Sequence, residues 1–152
     1  MVREGEPAPD FTLRSDTGEA ITLSDLRGRV IVLYFYPKDD TPGCTTQACS
    51  FRDAYAEFED RGIVVLGVSP DTAASHARFR EKHELPFTLL ADPDHEVAGR
   101  YGVWVERTIR GKTSMGIKRS TFLVDADGTV AKAMIGVRPE GHAEEVLAAL
   151  PA

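Results

Sequence analysis

The sequence predicts an α/β fold: a central mixed β-sheet flanked by helices, with an N-terminal β-hairpin. Three observations carry that expectation. Val30–Tyr36 and Ile63–Ser69 are continuous apolar, β-branched or aromatic runs, the pattern of strands buried on both faces. Between them, Cys44, Ala48, Phe51, Tyr55 and Phe58 recur at steps of three and four, which places them on one face of a helix. Near the end, Ser120–Val124 and Thr129–Ile135 flank the turn Asp125-Ala-Asp-Gly128 and read as an antiparallel pair.

The remaining elements follow in order. Phe11–Arg14 and Ala20–Leu23 flank Asp16-Thr-Gly18 and predict the first hairpin. Ser24–Gly28 is a brief turn before the first buried strand. Thr41 is a candidate N-cap and Pro42 suits a first helical turn, so a helix is expected from there to Gly62. Asp71–Lys82 predicts a second helix, Phe87–Ala91 a third strand and Asp92–Tyr101 a short helical piece. Pro139–Leu150 closes the chain as an amphipathic helix. Alternating strands and helices followed by an antiparallel pair match a thioredoxin-like fold. A flavodoxin-like sheet fits less well because of the closing hairpin.

Size and charge narrow the function. The 152 residues predict a single domain over 1–152 with a core of its own. No apolar run approaches 18 residues, so no membrane span is expected, and Met1–Pro7 lacks the apolar centre of a signal peptide. The expected location is therefore cytoplasmic. Net charge is −6 with scattered basic residues; Arg107–Lys112 is too short for a nucleic-acid footprint. No glycine pattern announces a nucleotide cofactor. No metal is expected: a structural zinc site wants four ligands, and His76, His83, His95 and His142 are dispersed, as solvated surface histidines are. Asp125–Gly128 begins like a calcium loop but lacks the later ligands.

The chemistry lies in the two cysteines, Cys44 and Cys49. With Thr41 as N-cap, Cys44 falls in the first helical turn, near free backbone N–H groups and the positive end of the helix dipole. Such a place favours the thiolate. An unperturbed thiol is about 3% ionised at pH 7, so complete ionisation gains at most roughly 30-fold in reactive species. A fast thiol enzyme needs transition-state stabilisation as well. Local donors are the Thr41 hydroxyl and the N–H groups of Gly43 and Cys44, with a cation to come from elsewhere. Gly43 allows close approach to the backbone, and Pro37 and Pro42 stiffen the loop. Gln47, in the same turn, could steady the loop, but helix surface is its commoner place.

Residues five apart on an intact helix stand about 8–9 Å apart between Cα atoms and about 140° apart around the axis. A disulfide needs less than about 7 Å. Cys44 and Cys49 can therefore join only if the first turn unwinds. On spacing alone, two inert cytosolic cysteines remain an equal alternative.

Pro37-Lys-Asp-Asp-Thr41-Pro-Gly-Cys44 fits the pattern Pro-x-x-x-Thr-x-x-Cys, which resembles the active-site loop of the peroxiredoxins. The longer string YFYPKDDTPGCTTQACSFRD, with APDFTL near the start and GIKRSTFLVDADG near the end, is similar to the bacterioferritin-comigratory-protein, or peroxiredoxin Q, subfamily. The resemblance implies a thioredoxin-like fold and a thioredoxin-dependent peroxidase acting on hydrogen peroxide and organic hydroperoxides. It implies Cys44 as peroxidatic cysteine, Cys49 as resolving cysteine, Thr41 and Pro37 as loop residues around the peroxide, and Arg119 as active-site arginine. Without it, Arg119 reads as an ordinary surface arginine. The resemblance also implies thioredoxin or a similar dithiol as reductant, and a monomer.

Two rivals make different predictions. A thiol–disulfide oxidoreductase would use TPGC as a dithiol motif, but Thr41 stands where the attacking thiol belongs. A non-enzymatic binding protein on the same fold would carry inert thiols.

Overall fold

The computed structural model describes residues 2–150. Seven strands form one sheet: β1 (Thr12–Ser15), β2 (Ala20–Thr22), β3 (Ile31–Phe35), β4 (Val64–Ser69), β5 (Thr88–Ala91), β8 (Ser120–Val124) and β9 (Val130–Ile135), in the order β2-β1-β5-β4-β3-β8-β9. β3, β4 and β5 run parallel, while β1, β8 and β9 join antiparallel. The sheet is therefore mixed, and the hairpin of β1 and β2 supplies one edge.

β3 shows why the apolar run is continuous. Ile31, Leu33 and Phe35 enter one core with Phe11, Val97, Tyr101 and Phe122. Val32, Tyr34 and Tyr36 enter a second core with Cys44, Phe51, Phe79 and Val146. Both faces are covered, so period-two alternation has no reason to appear. The second core belongs to α1 (Pro42–Asp53), α2 (Tyr55–Asp60), α3 (Ala73–His83) and α5 (His142–Ala149). The first is covered by α4 (Glu96–Tyr101). The expected thioredoxin-like arrangement is the one formed.

Three expectations need correction. The helix expected from Thr41 to Gly62 is two helices, interrupted at Ala54, whose ψ is 3°. No glycine or proline marks that break. Residues 102–118, where no element is expected, carry a separate two-stranded sheet, β6 (Trp104–Ile109) and β7 (Lys112–Ile117). Its turn is Arg110-Gly111, both at positive φ (54° and 76°), the geometry that matches hairpin twist. Finally, the histidines are not all solvated. His76 and His142 are fully buried and hydrogen-bonded on both ring nitrogens.

Candidate active site

The site forms where β3 gives way to α1. β3 is hydrogen-bonded on both sides, by β4 and β8, so its end is a rigid base. Pro37 and Lys38 lead out, and Thr41 is the N-cap of α1 with Pro42 following it. The Thr41 hydroxyl makes no capping bond. It donates to the Lys38 carbonyl (2.8 Å), leaving its lone pairs free. Cys44 lies in the first turn as expected and is 2% exposed.

Arg119 comes from the opposite side, in the short link between β7 and β8. β8 pairs with β3, and this pairing carries Arg119 to Cys44 across 75 residues of sequence. Its Nη2 stands 3.4 Å from Cys44 Sγ, and its Nη1 donates to Gln47 Oε1 at 2.7 Å. The guanidinium thus has a fixed orientation against the sulfur. Gly43 explains its own identity: a Cβ there would lie 3.1 Å from Arg119 Nη2 and 3.6 Å from Pro139 Cγ. The closest approach at Gly43 is made by Arg119 itself.

Gln47 corrects the sequence reading. It is wholly buried, not on the helix surface, and it holds Arg119 in place. Its spacing of three from Cys44 gave the signal, since that puts both on one helix face. Its Nε2 has no partner among the described residues. The Tyr34 hydroxyl is likewise buried and without a partner among the described residues, and burial, with the Cys44 sulfur adding to it, pushes its phenol well up. Tyr34 stays neutral and forms an apolar wall, with its ring 4.8 Å from that of Phe51.

Cys49 lies further along α1, half-buried, and both thiols are free. The intact helix keeps them from joining. Cys44, Gly43 and Arg119 are gathered at one point, just past the N-cap Thr41, with Pro37 bordering the open side of Arg119 in a cavity shared with Val105, Ile117 and Val137. Cys49 stands apart from that group.

Among the described residues, Asp39, Asp71 and His76 alone bring enough ligand-type atoms together for a metal, within 4.8 Å of one another. These atoms are already engaged. Asp39 Oδ2 lies 2.7 Å from His76 Nδ1, and Asp71 Oδ2 accepts from Ser69 Oγ and the Asp39 N–H. The cluster is a hydrogen-bonded network, not a vacant cation cage.

A buried cysteine at a helix N-terminus, faced by an oriented guanidinium on a thioredoxin-like sheet, defines a thiol-based enzyme of the peroxidase kind. Residues 5–133 match the AhpC/TSA family, and the chain belongs to that family. Peroxiredoxin Bcp of Bacillus subtilis strain 168 is 49% identical over 146 residues, covering 96% of this chain and 93% of that protein. Peroxiredoxin Bcp of Escherichia coli K12 is 44% identical over 146 residues, covering 96% and 94%. The crystal structure of a PrxQ Cys-to-Ser variant from Xylella fastidiosa superposes with a TM-score of 0.92 at 36% identity, covering 97% of this chain and 94% of that one. The Xanthomonas campestris bacterioferritin comigratory protein, solved in trapped intermediate and ligand complexes bearing on its alkyl peroxide reduction, gives 0.88 at 40% identity, covering 91% and 88%. The chain is a peroxiredoxin of this Bcp and PrxQ branch, a peroxidase that acts on peroxide with a thiol reductant. No described helix is long and apolar enough to cross a membrane.

Proposed function

We propose that this chain reduces hydrogen peroxide and organic hydroperoxides at Cys44 and that Cys49 resolves the oxidised sulfur as an intramolecular disulfide. The observation that carries this reading is the Arg119 guanidinium, held by Gln47 and set 3.4 Å from Cys44 Sγ. The Cys44 thiolate attacks the terminal peroxide oxygen. An S–O bond forms, the O–O bond breaks, and Cys44 becomes a sulfenic acid. The alcohol oxygen leaves as an anion and takes a proton from water. Arg119 and the N–H groups of Gly43 and Cys44 stabilise charge as it moves onto that oxygen. Thr41, whose proton is committed to Lys38, offers lone pairs to the peroxide O–H. Pro37 shields the loop.

The first turn of α1 then unwinds. The Cys49 thiolate attacks the Cys44 sulfur, the S–O bond breaks as the disulfide forms, and the departing hydroxide takes a proton from solvent to become water. Thioredoxin or a similar dithiol reduces it by exchange. Support for the unwinding is geometric: the pair cannot meet while α1 is intact. We assign the activity to a single domain over residues 1–152, working as a cytoplasmic monomer.

The test is mass spectrometry after one equivalent of hydrogen peroxide. An internal Cys44–Cys49 disulfide is expected. Cys44→Ser should abolish turnover, and Cys49→Ser should allow one stoichiometric round without thioredoxin-dependent cycling. Full turnover by both variants would overturn the assignment.

A further inference from the structure

Cys44 is placed by the loop before it, residues 37–41, and that loop is tied to a part of the fold outside the site. Tyr36 is fixed to β4 through its N–H, which donates to the Val68 carbonyl at 3.0 Å. The Asp39 N–H donates to Asp71 at 2.8 Å. The Asp39 side chain is buried and receives the Tyr36 hydroxyl on one oxygen (2.6 Å) and the Ser75 hydroxyl on the other (2.7 Å). Next along, Asp40 stands in the left-handed region at φ 58°, held by Lys82 Nζ at 2.7 Å and His83 Nε2 at 3.0 Å. Ser75, His76, Lys82 and His83 all belong to α3. Thr41, next in the chain, has its hydroxyl bonded within the loop, to the Lys38 carbonyl, and the long-range ties that follow are those Arg119 makes to Cys44 and Gln47.

The contact between Asp39 and His76 fixes where a proton must be. His76 Nε2 lies 2.9 Å from the Leu90 carbonyl, which can only accept, so Nε2 carries hydrogen. Nδ1 lies 2.7 Å from Asp39 Oδ2. That oxygen already accepts from Ser75, and its partner oxygen from Tyr36. A bare Nδ1 lone pair facing a carboxylate at this distance is repulsive, so the pair contains a second proton, on the ring or on the acid. Both groups are buried, the side chains 0% and 4% exposed, and the shared proton leaves them with no net charge together.

We propose that Asp39 and His76 form a protonated clamp that fixes the loop before Cys44 and sets Thr41 as the hinge at which the first turn of α1 opens; this rests on the functional reading above. Neither residue touches peroxide. Both act through the loop, as positioning residues. With the clamp in place, the loop up to Asp40 stays fixed through the cycle, so the rebuilt first turn returns Cys44 to Arg119 after each disulfide is reduced.

The test compares full-length variants. Asp39→Ala removes the clamp. Asp39→Asn keeps a bridging hydrogen bond, because the amide can donate to Nδ1 of a singly protonated His76. The measured quantity is the rate constant for oxidation of Cys44 by hydrogen peroxide, with Cys44 confirmed by mass spectrometry. A loss of about tenfold or more is expected for Asp39→Ala, and no more than about threefold for Asp39→Asn. A rate for Asp39→Ala within about twofold of the unaltered protein overturns the clamp. Equal losses in both variants overturn it too, since charge rather than placement would then matter. Should Asp39→Ala fail to fold, His76→Asn (a donor at the Nδ1 position) and His76→Gln (a donor at the Nε2 position) make the same comparison. The first should keep the rate and the second lose it; the reverse order overturns the proposal. The nitrogen NMR signals of the His76 ring, together with the carboxyl carbon signal of Asp39, provide an independent reading. Two protons on the ring, or one with the other on Asp39, support the clamp; one ring proton with an ionised Asp39 overturns it. If the unaltered protein fails to oxidise at Cys44, the functional reading falls, and the ring and carboxyl signals still decide the clamp.

Discussion

Gln47→Leu separates the stability of the site from its reactivity. Leucine is apolar, branches one bond nearer the backbone than glutamine, and removes both ends of the amide. One end, Oε1, accepts from Arg119 Nη1 at 2.7 Å. A hydrogen bond from a charged donor contributes about 1.5–3 kcal/mol. The other end, Nε2, is buried without a partner among the described residues, which costs about 1–3 kcal/mol. Leucine loses the first and relieves the second. Arg119 is half-exposed, so water can take up the freed Nη1. The two terms oppose each other, and global stability should change by no more than about 1 kcal/mol, a melting shift of about 2–4 °C. The reaction experiences only the loss. A guanidinium free to swing from Cys44 gives up about 1.4–2.7 kcal/mol of transition-state stabilisation, or about 10- to 100-fold in rate. Stopped-flow peroxide oxidation beside a thermal melt reads both quantities. A rate reduced by less than about threefold would show that Gln47 does not orient Arg119. A melting temperature lowered by about ten degrees would refute the cancellation.

Gly43→Ala should stabilise α1 by about 0.5–1 kcal/mol through helix propensity, yet slow peroxide reduction. Its Cβ would meet Arg119 Nη2 at 3.1 Å and displace the guanidinium by a few tenths of an ångström; urea unfolding and peroxide kinetics should move in opposite senses. Gly67→Ala should be destabilising by about 1–3 kcal/mol, because the new methyl would fall 2.9 Å from Leu89 Cδ2 and from Tyr34 Cζ and Oη; the same unfolding assay reads it. His142 supplies a pH dependence. Burial depresses its folded-state pKa, against an opposing hydrogen bond to Glu145. The unfolded chain therefore binds the proton first as pH falls below about 6.5, and stability is lost by at most about 1.4 kcal/mol per pH unit until the folded pKa is passed. Urea unfolding of His142→Gln between pH 7 and 5 should show a shallower dependence than the unaltered protein; identical slopes would refute this linkage.

What the sequence made legible was whatever the physics writes locally. β3 and β4 announced themselves because both faces are covered, and a doubly buried strand leaves a continuous apolar run. Cys44 announced itself through Thr41 and Pro42, since helix starts are encoded within a few residues. β6 and β7 escaped because their outer residues are exposed, Ile109 and Met115 included, so no core imposes a pattern; only the Arg110-Gly111 turn betrayed them. The break at Ala54 has no local cause at all. Gln47 and His76 escaped for a different reason. A glutamine or histidine on a helix reads the same whether it faces water or a distant partner. Arg119 lies 72 residues from Gln47, and Asp39 lies 37 from His76. A polar side chain is buried only when something else in the fold satisfies it. Its role is therefore fixed by topology, here by β8 pairing with β3 and by α3 packing beside the loop. The peroxide chemistry proposed at Cys44 would depend on those long-range partners as much as on the motif that contains it, so a chain that kept the motif but lost Gln47 would keep its proposed nucleophile and lose the orientation of its cation.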